Sequence, residues 1–158
     1  MEKLSLVLWR ERELLETLQY RLEVEQLVMS NGQTRWLAQA AREVEEAVDQ
    51  LREMELLRAV AADEAAAAVG LPANPSLADL IEAAEEPWRS ILAEHREAFA
   101  ATSEEIERIA ATNRVLIAHG LRAAHETLLG ADVGGRIYTA AGAAMSDGTR
   151  VGVVDRSL

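Results

Sequence analysis

Leu4, Leu8, Leu15, Leu18, Leu22 and Met29 keep helical spacing once Glu11 and Glu25 are counted into the same stripe. Apolar residues recurring at three and four predict an amphipathic helix over 3–29. Val7, Leu14, Val24 and Val28 widen the stripe, so this helix faces more than one neighbour. Ser30-Asn31-Gly32 ends it, with Gly32 or Asn31 able to take the left-handed conformation that closes a helix. Thr34 is the expected N-cap of a second helix over 34–69. Its stripe runs Leu37, Ala41, Val44, Val48, Leu51, Met54, Leu57 or Arg58, and then alanines. The short connection folds the two helices into an antiparallel hairpin.

Gly70-Leu71-Pro72-Ala73-Asn74-Pro75-Ser76 is the clearest break in the chain, since each proline inside a helix costs about 3 kcal/mol. Ser76-Leu77-Ala78-Asp79 reads as a capped start for a short helix over 77–85. Pro87 then opens or kinks a third long helix, expected over 87–129. Leu92, His95, Phe99, Thr102, Ile106, Ile109, Asn113, Leu116, Gly120, Ala123 and Thr127 alternate strictly by three and four. That is a coiled-coil register, and it passes unbroken through the alternative helix start at Thr102-Ser103-Glu104-Glu105. Gly130 is the expected stop, and glycine-rich residues 131–158 read as a flexible tail with Val151-Gly152-Val153-Val154 as a possible short strand. The expected fold is therefore all-α. An elongated helical hairpin and a long C-terminal helix form an antiparallel, coiled-coil-like bundle over 1–130, followed by the flexible tail.

Composition supports this reading. Apolar residues make up 49% of the 158 positions, which argues against disorder throughout, yet aromatics are only 4%. The excess of Ala, Leu, Glu, Arg and Gln suits long helices. Absence of cysteine excludes disulfides, thiolate metal sites and a cysteine nucleophile. No apolar run approaches the roughly 18–20 residues of a membrane helix, and Met1-Glu2-Lys3-Leu4 lacks a secretory pattern. The expected location is the cytoplasm. A net charge of −11 argues against nucleic acid and anionic membranes as partners.

Candidate chemistry is sparse. His95, His119 and His125 lack the spacing of three or four that puts two metal ligands on one helix face, and His125-Glu126 has no second histidine to complete a zinc motif. None of the three histidines has a glutamate three residues before it, as di-iron bundles require. Solvated or seam histidines explain them better. Carboxylate pairs such as Glu45-Glu46 and Glu104-Glu105 read as solvated faces. Val133-Gly134-Gly135-Arg136 is too short and misplaced for a nucleotide loop. No catalytic residue, metal or cofactor is expected. Asn113 on the third-helix seam either fixes register or sits at a partly wet seam. Long helices with many apolar faces and little aromatic bulk leave a groove for a foreign amphipathic helix.

The helical hairpin, the long helix with Asn113, Leu116 and Leu121, and the following Ile137-Tyr138-Thr139-Ala140-Ala141-Gly142 together resemble FlgN-type flagellar type III export chaperones over about residues 1–142. The Thr-Ala-Ala spacer between Tyr138 and Gly142 departs from the more polar residues frequent in that family. The resemblance implies a non-enzymatic chaperone for the C-terminal helical segments of hook–filament junction proteins, FlgK-like and FlgL-like. It prevents their premature assembly and delivers them to an FlhA-like export gate. It also implies client binding through Ile106, Ile109, Asn113, Leu116, Ile117 and Leu121, and gate docking through Tyr138. Two alternatives stand beside this reading. The chain is a structural coiled coil acting by self-association, or Tyr138 merely packs back onto the bundle.

Overall fold

A computed structural model describes the backbone of residues 1–145 and the side chains of residues 1–129. Four helices follow one another: α1 (Glu2–Ser30), α2 (Thr34–Val69), α3 (Leu77–Ala83) and α4 (Trp88–Met145). There is no strand among the described residues. The chain divides into two units, Met1–Ile117 and Ala118–Leu158.

In the first unit α1 and α2 form the expected antiparallel hairpin. Gly32 makes the turn with φ +65. Gln33 N–H donates to the Val28 carbonyl at 2.9 Å and Gly32 N–H to that of Met29 at 3.1 Å. This pair of bonds satisfies carbonyls that a helix end otherwise leaves open, and glycine tolerates the left-handed backbone it needs. Gly70, with φ +76, closes α2 in the same way: Leu71 N–H reaches the Ala66 carbonyl at 2.9 Å. Thr34, the expected cap of α2, is instead its first residue. Gln33 holds the cap position and makes no side-chain cap bond.

Ser76 does cap α3. Its Oγ accepts from Asp79 N–H at 3.1 Å while its own N–H donates to Asp79 Oδ2 at 2.9 Å, so two otherwise open donors are satisfied reciprocally. α3 ends at Ala83, two residues before the predicted limit, and the chain turns through Pro87 into α4. The seam crosses Thr102–Glu105 without interruption.

Two apolar clusters hold the unit. Leu4, Leu8, Ala61, Ala65, Ala66, Leu80, Ala84 and Leu92 make one, joining all four helices. Leu18, Leu22, Ala47 and Ile109 make the other. Leu92 meets the start of α1 and Ile109 its later half, so α4 runs parallel to α1 and antiparallel to α2. Glu11 and Glu25 are buried where the stripe placed them. Of the two α2 candidates, Arg58 turns inward, its Nε 3.5 Å from Glu11 Oε2, and Leu57 stays exposed.

The helix expected to stop at Gly130 is described as far as Met145. Each glycine of this stretch, Gly130, Gly134, Gly135 and Gly142, costs about 1 kcal/mol against alanine, and the Leu and Ala residues between them are strong helix formers. The backbone of 131–145 is thus helical. The remainder of the predicted tail, with the Val151–Val154 strand, lies outside the described residues.

Candidate functional site

The six residues expected to bind a client lie on α4 but face different surroundings. Ile109 is fully buried, and Ile106 packs half-buried against the same cluster. Asn113 is also buried; its Nδ2 donates to the Leu22 carbonyl and to Glu25 Oε2. These three form the inner side of the seam with α1 and α2. Leu116 is half-buried, and Ile117 is 40% exposed, next to the still more open Val115.

Within the second unit, Leu121, Leu128 and Leu129 are all exposed, Leu121 at 68%. Every side chain from Ile117 to Leu129 is open to solvent. The register that buries Leu92 and Ile109 therefore continues beyond Leu116 only as Gly120, Ala123 and Thr127, which bring little apolar area. The larger apolar residues shift by one position to Ile117, Leu121 and Leu128, four and seven apart, with Ala124 between the last two. A stripe at that spacing suits a helix-in-groove contact. Ile117 and Leu121 are expected client contacts, whereas Val115, Leu128 and Leu129 are equally open apolar residues outside the expected set. The one-residue offset between the two stripes is the signal that finds Leu128.

Tyr138 belongs to α4, and its side chain lies outside the described residues.

The polar groups of the first unit do not converge as in a catalytic centre. His95 is 2% exposed, edge-on to Trp9 at 5.2 Å and stacked near Phe99, and neither ring nitrogen has a hydrogen-bond partner. Burial holds its pKa below the ordinary value, with Glu94 opposing and Arg12 reinforcing the shift. Burial pushes the Glu11 carboxyl upward, against the pull of Arg58. A cleft of about 270 Å³ beside α3 is lined by apolar residues with Arg58, Asn74 and Ser76, and by no histidine or carboxylate. Among the described residues no group of three or more His, Asp or Glu stands close enough to hold a metal. Nor is any helix there long and apolar enough to cross a membrane.

A family model described as FlgN protein matches residues 1–145. No curated protein and no solved structure matches.

Proposed function

The chain belongs to the FlgN family of flagellar export chaperones, and we propose that it covers the C-terminal helical segments of hook–filament junction proteins of the FlgK and FlgL kind until their export. Such segments assemble through apolar helix faces, so an unassembled client needs those faces covered in the bacterial cytoplasm. The observation that carries the reading is the run of exposed apolar residues on α4, with Ile117 and Leu121 among the expected contacts. An amphipathic client helix laid on such a stripe excludes water from both partners. Leu116 adds its exposed edge. Ile106, Ile109 and Asn113 act from beneath, holding the first part of α4 against α1 and α2. Tyr138 serves as the docking residue for an FlhA-like export gate; a tyrosine buries a large ring and offers a hydroxyl.

Co-expression with each junction protein, followed by size-exclusion chromatography, tests the proposal. The expected result is a one-to-one complex that Leu121→Asp abolishes and Tyr138→Ala leaves intact, while Tyr138→Ala weakens binding to the gate protein. A stable homo-oligomer that ignores both junction proteins supports the self-associating coiled coil instead.

A further inference from the structure

His95 is the one histidine among residues 1–117, and nothing around it answers its polar atoms. It is 2% exposed, and neither ring nitrogen has a hydrogen-bond partner. A neutral imidazole has one donor and one acceptor, so both are left unused. Buried polar groups are rarely left in that condition. The cost rises steeply once the ring is charged, because a buried ion without a partner loses far more hydration than a neutral group.

Two aromatic rings enclose it. Phe99, one turn along α4, is stacked at 6.2 Å and packs against the first apolar cluster, so it is a fixed wall. Trp9 on α1 meets the imidazole edge-on at 5.2 Å. Trp9 is 49% exposed and belongs to neither apolar cluster, so its side chain swings out without undoing the packing of Leu4 on Leu92.

The charges nearby give an added proton no relief. On α1, Arg12 lies over the Trp9 ring, 5.4 Å from its centroid, and is paired with Glu16. A charged imidazole would therefore be the second cation on one indole. Glu11, the buried carboxyl of the same helix, faces Arg58 of α2. On α4, Glu94 is exposed, and its place one residue before His95 turns it about 100° around the helix. Burial is the main cause holding the His95 pKa down; Glu94 opposes it and Arg12 adds to it.

We infer that Trp9 is an acid-released lid: a proton on His95 drives the indole off the α1–α4 seam and lets water reach the ring. The closed form keeps the imidazole dry and neutral, the open form hydrates it, and opening takes up one proton. The opening equilibrium therefore rises by up to about tenfold for each pH unit below the ordinary histidine value. The later part of the seam stays shut, because the packing of Ile109 and the bond from Asn113 to the Leu22 carbonyl do not involve that proton. Mild acid thus reshapes the surface at Trp9 while the bundle stays folded, and the device does not depend on what the chain carries.

The test uses the full chain with Trp36→Phe and Trp88→Phe, which leaves Trp9 as the only tryptophan. Acrylamide quenching of Trp9 is expected to rise as pH falls from about 7.5 to about 5, with helix content by circular dichroism unchanged. His95→Phe fills the same space and takes no proton, so quenching in that variant is expected to stay flat. Histidine titration by NMR, on the chain with all its tryptophans, gives the second readout; the resonance missing from His95→Phe identifies His95. Its midpoint is expected below about 6.5 in the wild type and is expected to climb to that ordinary value in Trp9→Ala, which lacks the lid. Flat quenching while His95 takes up its proton overturns the inference, since the charge is then accommodated under a closed lid. An unchanged midpoint in Trp9→Ala overturns it too. Quenching that rises only together with loss of helix assigns the response to global unfolding, which also overturns it.

Discussion

Asn113 on α4 and Glu25 on α1 are joined by a buried hydrogen bond of 2.9 Å, and the second hydrogen on the same amide nitrogen goes to the Leu22 carbonyl. Both side chains are at least nine-tenths buried. A buried carboxylate without a donor is costly, so any slip of α4 along α1 meets a penalty that apolar packing alone does not impose. The pair thus sets the register in which Ile109 meets Leu18 and Leu22.

Replacing Asn113 by Leu is therefore expected to destabilise the fold by about 1–3 kcal/mol, because Glu25 is left buried and without its donor. Adding Glu25→Leu is expected to recover most of that loss, since an apolar pair of similar volume needs no donor. Urea denaturation of the two single variants and the double variant measures the coupling. Simple additivity of the two losses refutes the register role.

Ile109 and Leu121 are expected to separate folding from binding. Ile109→Ala removes a fully buried side chain and is expected to cost about 2–5 kcal/mol. Leu121→Ala alters an exposed one and is expected to change stability by less than about 0.5 kcal/mol. Junction-protein binding is expected to respond to Leu121→Ala at full helix content. Thermal melts and titration calorimetry on the same samples check both halves.

His95 makes stability depend on mild acid. Its folded pKa is depressed below the ordinary 6.5, so the unfolded chain takes up this proton at higher pH than the folded one. The stability tied to the neutral ring is complete above the ordinary value and is lost as pH falls through the lower, folded value. His95→Phe is expected to remove that component. The difference in urea midpoint between wild type and variant should shift in the variant's favour as pH drops below about 6.5. A constant difference across that range contradicts the burial argument.

Glu11 has the opposite slope. Its folded pKa is raised by burial, so its contribution is fully present below the ordinary glutamate value and is lost as pH rises through the raised one. Glu11→Gln is expected to match wild type in acid and to exceed it in stability at neutral pH. Arg58 loses little in the exchange, because its side chain is 44% exposed and the pair is largely screened. Denaturant midpoints for the two proteins on either side of the glutamate range give the answer.

Much of this was legible in the chain because long stripes at three and four spacing leave few alternatives. The hairpin, the Ser76 cap and the unbroken passage of α4 through Thr102 all follow from periodicity and capping chemistry. Even the buried places of Glu11, Glu25 and Asn113 follow from counting polar residues into the stripe. What spacing does not reveal is where packing stops. Gly130 looked like a terminator because a glycine often ends a helix, yet its penalty is small beside strong helix formers. Ile106 and Ile117 looked equivalent in sequence, but tertiary contact sorts them, one half-buried against Leu18 and Leu22 and the other open to solvent. The cap of α2 is Gln33 although Thr34 suits that position better, because Gln33 N–H is already bonded to the Val28 carbonyl that closes α1.

Ala47, Ala61, Ala65, Ala66 and Ala84 supply much of the interior between the helices. A methyl group hides little area, so each turn of helix adheres weakly and the unloaded molecule has a modest reserve against heat. Any cargo that binds only the folded form adds RT ln(1 + [L]/Kd) to that reserve. The melting point of such a protein then climbs with the concentration of whatever it carries, so heat alone distinguishes a loaded sample from an empty one.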